Sequence, residues 1–124
     1  MEPAQLDVMR RTAIAARDYC RLIGLDAAHV RGLTITTVRQ VIQESGAGTS
    51  QNARRNNFFG QKSRIRDGAE INVDRWATGE YLLTSNPEWR DGVQVVDPDW
   101  MYTYASLEDS VRAHVDYVTG RSGM

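Results

Sequence analysis

The spacing of apolar positions along the chain predicts three amphipathic α-helices. In the first, apolar residues recur every three or four positions, as in a helix that packs along one side. Pro3 suits its first turn and Gly24 its end. Cys20 belongs to the stripe and is expected to be buried. The stripe consists of Leu6, Met9, Ala13, Ala16, Cys20 and Ile23.

The second predicted helix is capped by Thr34 or Thr36 and carries its apolar residues on one face. The segment before it, residues 25–32, is expected to form a loop or a single helical turn, with His29 at the surface or in a cap. The expected buried face consists of Ile35, Val38, Val41 and Ile42.

Glu44 stands at the end of this helix, directly before the glycine-rich turn Gly46-Ala47-Gly48. With about 100° between successive residues, it lies about 60° around the helix from Val41, at the border of the apolar face. A border position partly removes a carboxyl group from water and favours its protonated form. Glu44 is therefore a candidate general acid, and the alternative is an exposed glutamate at a helix end.

A third helix is predicted from Leu107, with Ser106 as its N-cap and Asp109 at the third position of a capping box. His114 then lies beside the apolar stripe and is interpreted as structural. The expected buried face consists of Leu107, Val111, Val115 and Val118.

Between the second and third helices the pattern favours short β structure. Residues 69–83 alternate loosely and predict a short hairpin or an irregular lobe. Residues 92–96 predict a short strand, because turn-forming pairs surround them. Those pairs are Asn86-Pro87, Asp91-Gly92 and Asp97-Pro98.

Composition narrows the classes of function. The chain has 124 residues and a formal net charge of −1, which fits one domain over residues 1–124 without an overall basic field to attract nucleic acid. One cysteine and two histidines exclude a disulfide and a structural zinc site. Gly46 and Gly48 follow a helix and lack the lysine of a phosphate loop, so we expect no nucleotide, cofactor or metal. We also expect no signal peptide and no membrane span, and hence synthesis in the cytoplasm.

Two motifs carry a resemblance to a known family. Glu44-Ser45-Gly46-Ala47-Gly48-Thr49-Ser50, a following Ala53, and Asn56-Asn57-Phe58-Phe59-Gly60-Gln61-Lys62 resemble the pattern Glu-Ser-Gly-x-Gly-x-Ser, Ala, Asn-Asn-Leu-Phe-Gly-x-Lys. That pattern belongs to the flagellar-type bacterial N-acetylglucosaminidases. Thr78-Gly79-Glu80-Tyr81, and Tyr104 with Ser106, match further family segments. The resemblance spans Thr34 to Val118.

The resemblance implies a mainly α (α+β) fold, with a lysozyme-like helical core and a small β-hairpin or irregular lobe. It also implies a glycoside hydrolase that cleaves peptidoglycan between N-acetylglucosamine and N-acetylmuramic acid. Glu44 would be the acid, Glu80 the second carboxylate with Asp99 as a competitor, and Tyr104 would orient the substrate N-acetyl group or a water molecule. The expected substrate-binding residues are Ser45, Asn57, Phe59, Tyr81 and Trp100.

Several alternatives stay open at this point. Asn56 and Asn57 suit a tight turn as well as a sugar-contacting wall. Trp89 and Trp100 suit packing in the core or in the lobe as well as sugar stacking. The activity could be that of a muramidase or lytic transglycosylase, or the chain could be a non-catalytic glycan-binding or assembly module. A weaker reading is a nucleic-acid binder that uses Arg54, Arg55, Lys62, Arg64 and Arg66.

The expected setting follows from the substrate. A peptidoglycan hydrolase acts in the periplasm or cell wall, here after delivery without a signal peptide. An exported antibacterial effector with an immunity or inhibitor protein as partner, or a phage lysin, fits this route.

Overall fold

Three helices and two antiparallel hairpins follow one another in the computed structural model, which describes residues 1–49, 53, 55–66, 69–72 and 74–121. The helices are α1 (Pro3–Leu22), α2 (Ala27–Ser45) and α3 (Leu107–Val118). The strands are β1 (Arg64–Arg66), β2 (Ala69–Asn72), β3 (Ala77–Arg90) and β4 (Val93–Tyr104). None of the described helices is both long and apolar enough to cross a lipid bilayer.

α1 has the predicted extent. Pro3 occupies its first turn, and the backbone amide of Glu2 donates to Gln5 Oε1 at 2.9 Å. The helix ends at Leu22, just before Gly24. Cys20 is fully buried, as the apolar spacing predicted.

α2 begins earlier than predicted. Asp26 is its N-cap and accepts a hydrogen bond from the backbone amide of His29 at 2.9 Å. The hydroxyls of Thr34 and Thr36 donate to carbonyl oxygens one turn back, inside the helix. The threonine caps were therefore wrong, because an aspartate cap was present upstream and nothing after it interrupts the helix. His29 lies exposed in the first turn, as expected.

The buried face of α2 differs from its apolar face. Val41 is fully buried, but Ile35 and Ile42 remain 48% and 38% exposed. Thr37 and Ser45 take buried places. The face that packs on the core thus includes small polar residues, which the apolar pattern did not mark.

The core lies where the three helices meet. Phe58 and Phe59, from the segment after the glycine-rich turn, complete it. On α3, Ser106 caps the first turn by accepting from the Asp109 amide at 3.1 Å, as predicted, while Val118 is exposed. The buried cluster contains Ala15, Ala16, Tyr19, Cys20, Val30, Val41, Leu107, Val111 and Val115.

The β lobe is larger than expected. β3 and β4 pair over most of their length, and the last pair, Arg90 with Val93, encloses a two-residue turn at Asp91-Gly92. Both turn residues have positive φ, 51° and 77°, the geometry that a tight hairpin requires. That predicted turn is confirmed.

The other two predicted turns were wrong. Asn86-Pro87 and Asp97-Pro98 lie inside the ladder, where Asn86 pairs with Asp97. A two-stranded ribbon has two free edges, so proline is tolerated wherever its nitrogen would face outward. The hairpin expected in residues 69–83 is also rearranged, because β2 pairs with β1 in a separate hairpin.

A buried carboxylate ties the base of the β lobe to the helices. Asp116 of α3 accepts hydrogen bonds from the Tyr19 hydroxyl at 2.5 Å, Arg75 Nε at 2.9 Å and Trp76 Nε1 at 2.8 Å. The Arg75 guanidinium lies over the Trp76 ring, 5.0 Å from its centroid. We call these four residues the Asp116 clasp. It joins α1, α3 and the segment that leads into β3.

Candidate active site

Glu44 lies at the rim of a cleft of about 470 Å³. One wall is the last part of α2, with Gln40 and Glu44. The second wall consists of residues 59–63, which we call the cleft strip. The third comes from α3, with His114 and Tyr117. Among the described residues that line the cleft, Glu44 is the one carboxylate.

The turn after α2 fixes the position of Glu44. The Ser45 hydroxyl donates to the Val41 carbonyl at 2.6 Å and accepts from the Gly48 amide at 3.1 Å. A Cβ atom at Gly48 would lie 3.1 Å from Val8 Cγ2 and 3.2 Å from Phe58 Cε1. Glycine is needed there because the turn packs closely on α1 and the core.

The two halves of the motif meet at the cleft. A Cβ atom at Gly60 would lie 3.8 Å from Glu44 Oε2, so the backbone of the cleft strip passes directly beside the carboxylate. Asn57 holds this segment. Its Nδ2 donates to the carbonyl oxygens of Gln61 and Tyr102, both at 2.8 Å, and its Oδ1 accepts from the Gln61 amide at 2.9 Å.

The cleft strip runs alongside β4. The Tyr102 amide donates to the Gln61 carbonyl at 3.1 Å, and the Ser63 amide donates to the Trp100 carbonyl at 2.8 Å. Lys62 and Met101 form an antiparallel bridge between these contacts. The long hairpin therefore carries one wall of the cleft, and α2 carries the carboxylate that faces it.

Glu44 is more exposed than the helical pattern predicted. Its side chain belongs to the exposed class, so the partial burial expected at the border of the apolar face is not found. The reason is that the core-facing side of α2 passes through Val41 and Ser45, and Glu44 points beyond it towards the open cleft.

Glu80 lies outside the cleft lining that the structure describes. Its side chain is 74% exposed, and its Oε2 forms an ion pair with Arg55 at 2.8 Å. This ion pair connects β3 to the start of the segment that leads to the cleft strip. The side chain of Asp99, the competing candidate, and residues Ser50 and Arg54 of the sequence patterns lie outside the described part.

Tyr104 has its hydroxyl in the interior. It donates to Asp74 Oδ2 at 2.6 Å, and the ring is buried. Burial, and then the negative charge of Asp74, raise the pKa of Tyr104 well above its ordinary value. The hydroxyl therefore stays protonated and bound to Asp74. The expectation was that it would face the substrate, but Tyr104 is not among the described residues that line the cleft.

Comparison with known proteins assigns the family. The sequence model of the glucosaminidase family, described as mannosyl-glycoprotein endo-beta-N-acetylglucosaminidase, matches residues 27–123. This chain belongs to the glucosaminidase family. The predicted family and the predicted class of enzyme, a glycoside hydrolase, are thereby confirmed.

The fold of this glucosaminidase also occurs in a solved structure, the catalytic domain of the autolysin Auto from Listeria monocytogenes. The TM-score is 0.68 at 17% sequence identity, and the match covers 95% of this chain and 58% of that chain. The chain thus spans little more than half the length of that structure. The predicted α+β lysozyme-like fold is confirmed. No curated protein matches the sequence.

Within this glucosaminidase, the predicted substrate-binding residues fall into two groups. Ser45 and Asn57 are buried, and their polar groups are bonded to backbone, so they shape the cleft from behind instead of facing a sugar. Phe59 is largely buried but lines the cleft. Tyr81 and Trp100 are exposed on the long hairpin.

Several residues that line the cleft of this glucosaminidase were missed from sequence, and His114 and Gln61 are two of them. His114 was interpreted as structural, yet it lines the cleft and stacks on Phe59 with 4.3 Å between ring centroids. Gln61 lines the same cleft. Gln61 lies at a variable position of the motif, and His114 is far from Glu44 in sequence. Only the folded structure shows that both residues lie in the same cleft as Glu44. Trp89 and Trp100 are both exposed, so neither is part of the buried core.

Proposed function

We propose that this glucosaminidase is a peptidoglycan hydrolase that cleaves the β-1,4 bond between N-acetylglucosamine and N-acetylmuramic acid. The observation that carries the proposal is the position of Glu44, a carboxylate at a helix end that opens into a cleft opposite the cleft strip. The family description, an endo-beta-N-acetylglucosaminidase, and the fold shared with an autolysin catalytic domain support the choice of substrate.

Glu44 acts as the general acid. Glycosidic cleavage requires a proton on the leaving oxygen, and a protonated carboxyl group at the reacting bond can deliver it. The side chain is exposed in the free protein and so is accessible to a glycan strand. A sugar seated in the cleft displaces water from around the carboxyl group, and this desolvation favours the protonated form.

Glu80 is our candidate for the second carboxylate. The Arg55 guanidinium at 2.8 Å suits an ionised group, which stabilises positive charge at the sugar ring or activates water. Two carboxyl groups about 5 Å apart favour retention, and a separation of about 6.5 to 9.5 Å favours inversion. Attack by the substrate's own N-acetyl group is a third route. Tyr104, bound to Asp74, is a positioning residue behind the cleft.

The decisive experiment replaces Glu44. Glu44→Gln should lower the release of new reducing ends from purified peptidoglycan by at least about 100-fold while the far-UV circular dichroism stays unchanged. Glu108→Gln is a matched control, because Glu108 pairs with Arg11 away from the cleft. Glu80→Gln should produce a smaller loss. Retention of most activity by Glu44→Gln would overturn its role.

Product analysis separates this activity from its alternatives. Mass spectrometry should find N-acetylglucosamine at the new reducing ends. Reducing or anhydro muramic acid would instead identify a muramidase or a lytic transglycosylase. Binding of peptidoglycan without any turnover by the unaltered protein would identify a glycan-binding or assembly module.

We further propose that the protein acts in the periplasm or cell wall, as an exported antibacterial effector with an immunity protein as its partner. The location of peptidoglycan supports the compartment, and the effector role is a hypothesis about the setting. Expression directed to the periplasm should be lethal, and co-expression of a neighbouring gene should rescue growth. Lethality without rescue by any neighbour would favour a phage lysin, and harmless periplasmic expression would contradict both roles.

A further inference from the structure

We propose that Thr103 is a positioning residue for Glu80, the candidate second carboxylate. Its hydroxyl belongs to a set of hydrogen bonds that fixes the backbone of Glu80 in an irregular part of the β3–β4 hairpin. The inference rests on the proposed function, because it assigns the means by which one of the two proposed carboxylates is held. It concerns a residue that was not a candidate from the sequence.

Glu80 lies in a bulge of β3. Three residues of β3, 78–80, lie opposite one residue of β4, Thr103. Gly79, in the middle of the bulge, has a φ of 89°, a conformation that favours glycine. Extra residues of this kind bend a strand and change the direction of its side chains, and they are frequent beside active sites. The regular pairs that flank the bulge are Ala77 with Tyr104 and Tyr81 with Tyr102.

Two threonine hydroxyls bond to both backbone groups of Glu80. The Thr103 hydroxyl donates to the Glu80 carbonyl oxygen at 2.9 Å, and the Glu80 amide donates to Thr78 Oγ1 at 3.1 Å. The two hydroxyl oxygens lie 2.6 Å apart. Because Thr103 uses its one proton on the carbonyl oxygen, the hydroxyl of Thr78 is the donor between them. We call Thr78 and Thr103 the threonine pair.

The two members of the threonine pair differ in burial. Thr103 is 1% exposed, whereas Thr78 and Glu80 are in the exposed class. Water also bonds to the backbone of an exposed bulge, but it leaves the chain free to change conformation. A buried hydroxyl holds the bulge in one arrangement, because any movement leaves a polar group of the interior without its partner.

The threonine pair and one ion pair together orient the Glu80 carboxylate. Arg55 contacts Glu80 Oε2 at 2.8 Å, from the segment that leads to the cleft strip. An exposed ion pair alone contributes little, because it joins two flexible side chains in water. The fixed backbone reduces that freedom, and a carboxylate that takes part in a reaction must be held close to the reacting geometry. Thr103 is buried, so it acts through Glu80 without contact with the substrate.

Removal of the Thr103 hydroxyl tests this role. Thr103→Val keeps nearly the same shape and cannot donate. With soluble, uncrosslinked peptidoglycan strands, it should lower kcat by about fivefold to tenfold, the value of one hydrogen bond, and change KM by less than about twofold. Thr103→Ser keeps the hydroxyl and should retain most of kcat. The matched control is Thr34→Val, whose hydroxyl also donates to a carbonyl, within α2. An unchanged kcat in Thr103→Val, or equal losses in the valine and serine variants, would overturn the proposal.

A double-mutant cycle separates positioning from a purely structural effect. In the Glu80→Gln background, Thr103→Val should lower kcat by less than about twofold, because no carboxylate remains to be positioned. The same loss in both backgrounds would show that the hydroxyl supports the fold alone, and the proposal would be wrong. Thr78→Val changes an exposed position and should repeat the pattern, so the result does not depend on one buried site.

Hydrogen exchange of the Glu80 amide, followed by NMR, gives a second measurement that needs no catalysis. Exchange should be at least about fivefold faster in Thr103→Val and Thr78→Val than in the unaltered protein, because the bulge opens more often. Thr34→Val should leave it unchanged. Unaltered exchange in both variants of the threonine pair would show that these hydroxyls do not hold the bulge.

The two proposals fail separately. If the unaltered protein releases no reducing ends from peptidoglycan, the proposed reaction is wrong, whereas amide exchange still decides whether the threonine pair holds the bulge. If peptidoglycan is cleaved and Glu80→Gln retains full activity, the positioning role is wrong and the reaction at Glu44 stands.

Discussion

Each polar atom of the Asn57 side chain has a backbone partner, two carbonyl oxygens for its amide group and one amide for its oxygen. Such an arrangement holds a loop in one conformation, because any rearrangement leaves a buried polar group unsatisfied. Ser45 fixes the turn after α2 in the same way. These residues act on the cleft through the backbone that they hold.

Because Asn57 bonds to the backbone and does not face the cleft, the main effect of Asn57→Ala should be a loss of folding stability. The loss of three hydrogen bonds, one of them buried and two partly buried, predicts a decrease of about 3 kcal/mol in the free energy of unfolding. Urea titration followed by circular dichroism measures it. Asn56→Gly, which removes one hydrogen bond to the Tyr104 carbonyl and keeps a backbone of positive φ, should cost only about 1 kcal/mol. Equal effects would contradict the role of Asn57.

His114 predicts a pH dependence of stability. Burial lowers its pKa from 6.5 to about 4 in the folded state, so the unfolded chain binds this proton first as the pH falls. The stabilising contribution is complete above about pH 6.5 and is lost between about pH 6.5 and 4. Across this window the unfolding free energy should fall by about 3 kcal/mol more than it does in His114→Phe.

Urea titrations at several pH values give the comparison, with His29→Phe as the control because His29 is exposed. The carboxylates titrate alike in all three proteins, so the difference between the curves isolates His114. Parallel curves for the unaltered protein and His114→Phe would show that the imidazole is not held neutral.

At the scale of elements, the start of α2 depends on Asp26. Its carboxylate accepts from the His29 amide, and this hydrogen bond lowers the pKa of Asp26. Asp26→Ala should lower the melting temperature by a few degrees, because the first turn loses its cap. Asp26→Asn should restore most of the loss, since asparagine caps equally well. A variant that melts like the unaltered protein would show that the first turn is held by packing alone.

The elements show which patterns in a sequence are reliable. α1 and α3 were predicted closely, because a stripe of apolar residues and a terminal cap agreed in each. The long hairpin was not predicted, because Pro87 and Pro98 were interpreted as turn residues. A two-stranded ribbon tolerates proline at its free edges, and both prolines lie inside the β3–β4 ladder. The family motif contains Glu44, but it does not specify Gln61 or include His114. Gln61 lies in the cleft because Asn57 and β4 hold the cleft strip, and His114 lies there because α3 packs on the core.

At the scale of the whole molecule, the Asp116 clasp connects parts that are distant in sequence. Asp116→Ala would leave the Tyr19 hydroxyl and Trp76 Nε1 without their acceptor, and the unfolding free energy should fall by about 3 kcal/mol or more. Asp109→Ala on the same helix removes a more exposed ion pair with Arg112 and should cost less than about 1 kcal/mol. Chemical denaturation of both variants measures the two losses of unfolding free energy. Similar losses would mean that the clasp adds little beyond its packing.

The turn at Asp91-Gly92 lies at the far end of the long hairpin, roughly 30 Å along the strands from the Tyr81–Tyr102 pair. Trp89 and Val93 beside it are exposed, and none of these residues lines the cleft. A short peptide inserted between Asp91 and Gly92 therefore lengthens a loop without moving Glu44. This tip is where a fluorescent label or an added wall-binding module can be attached while the cleft continues to work.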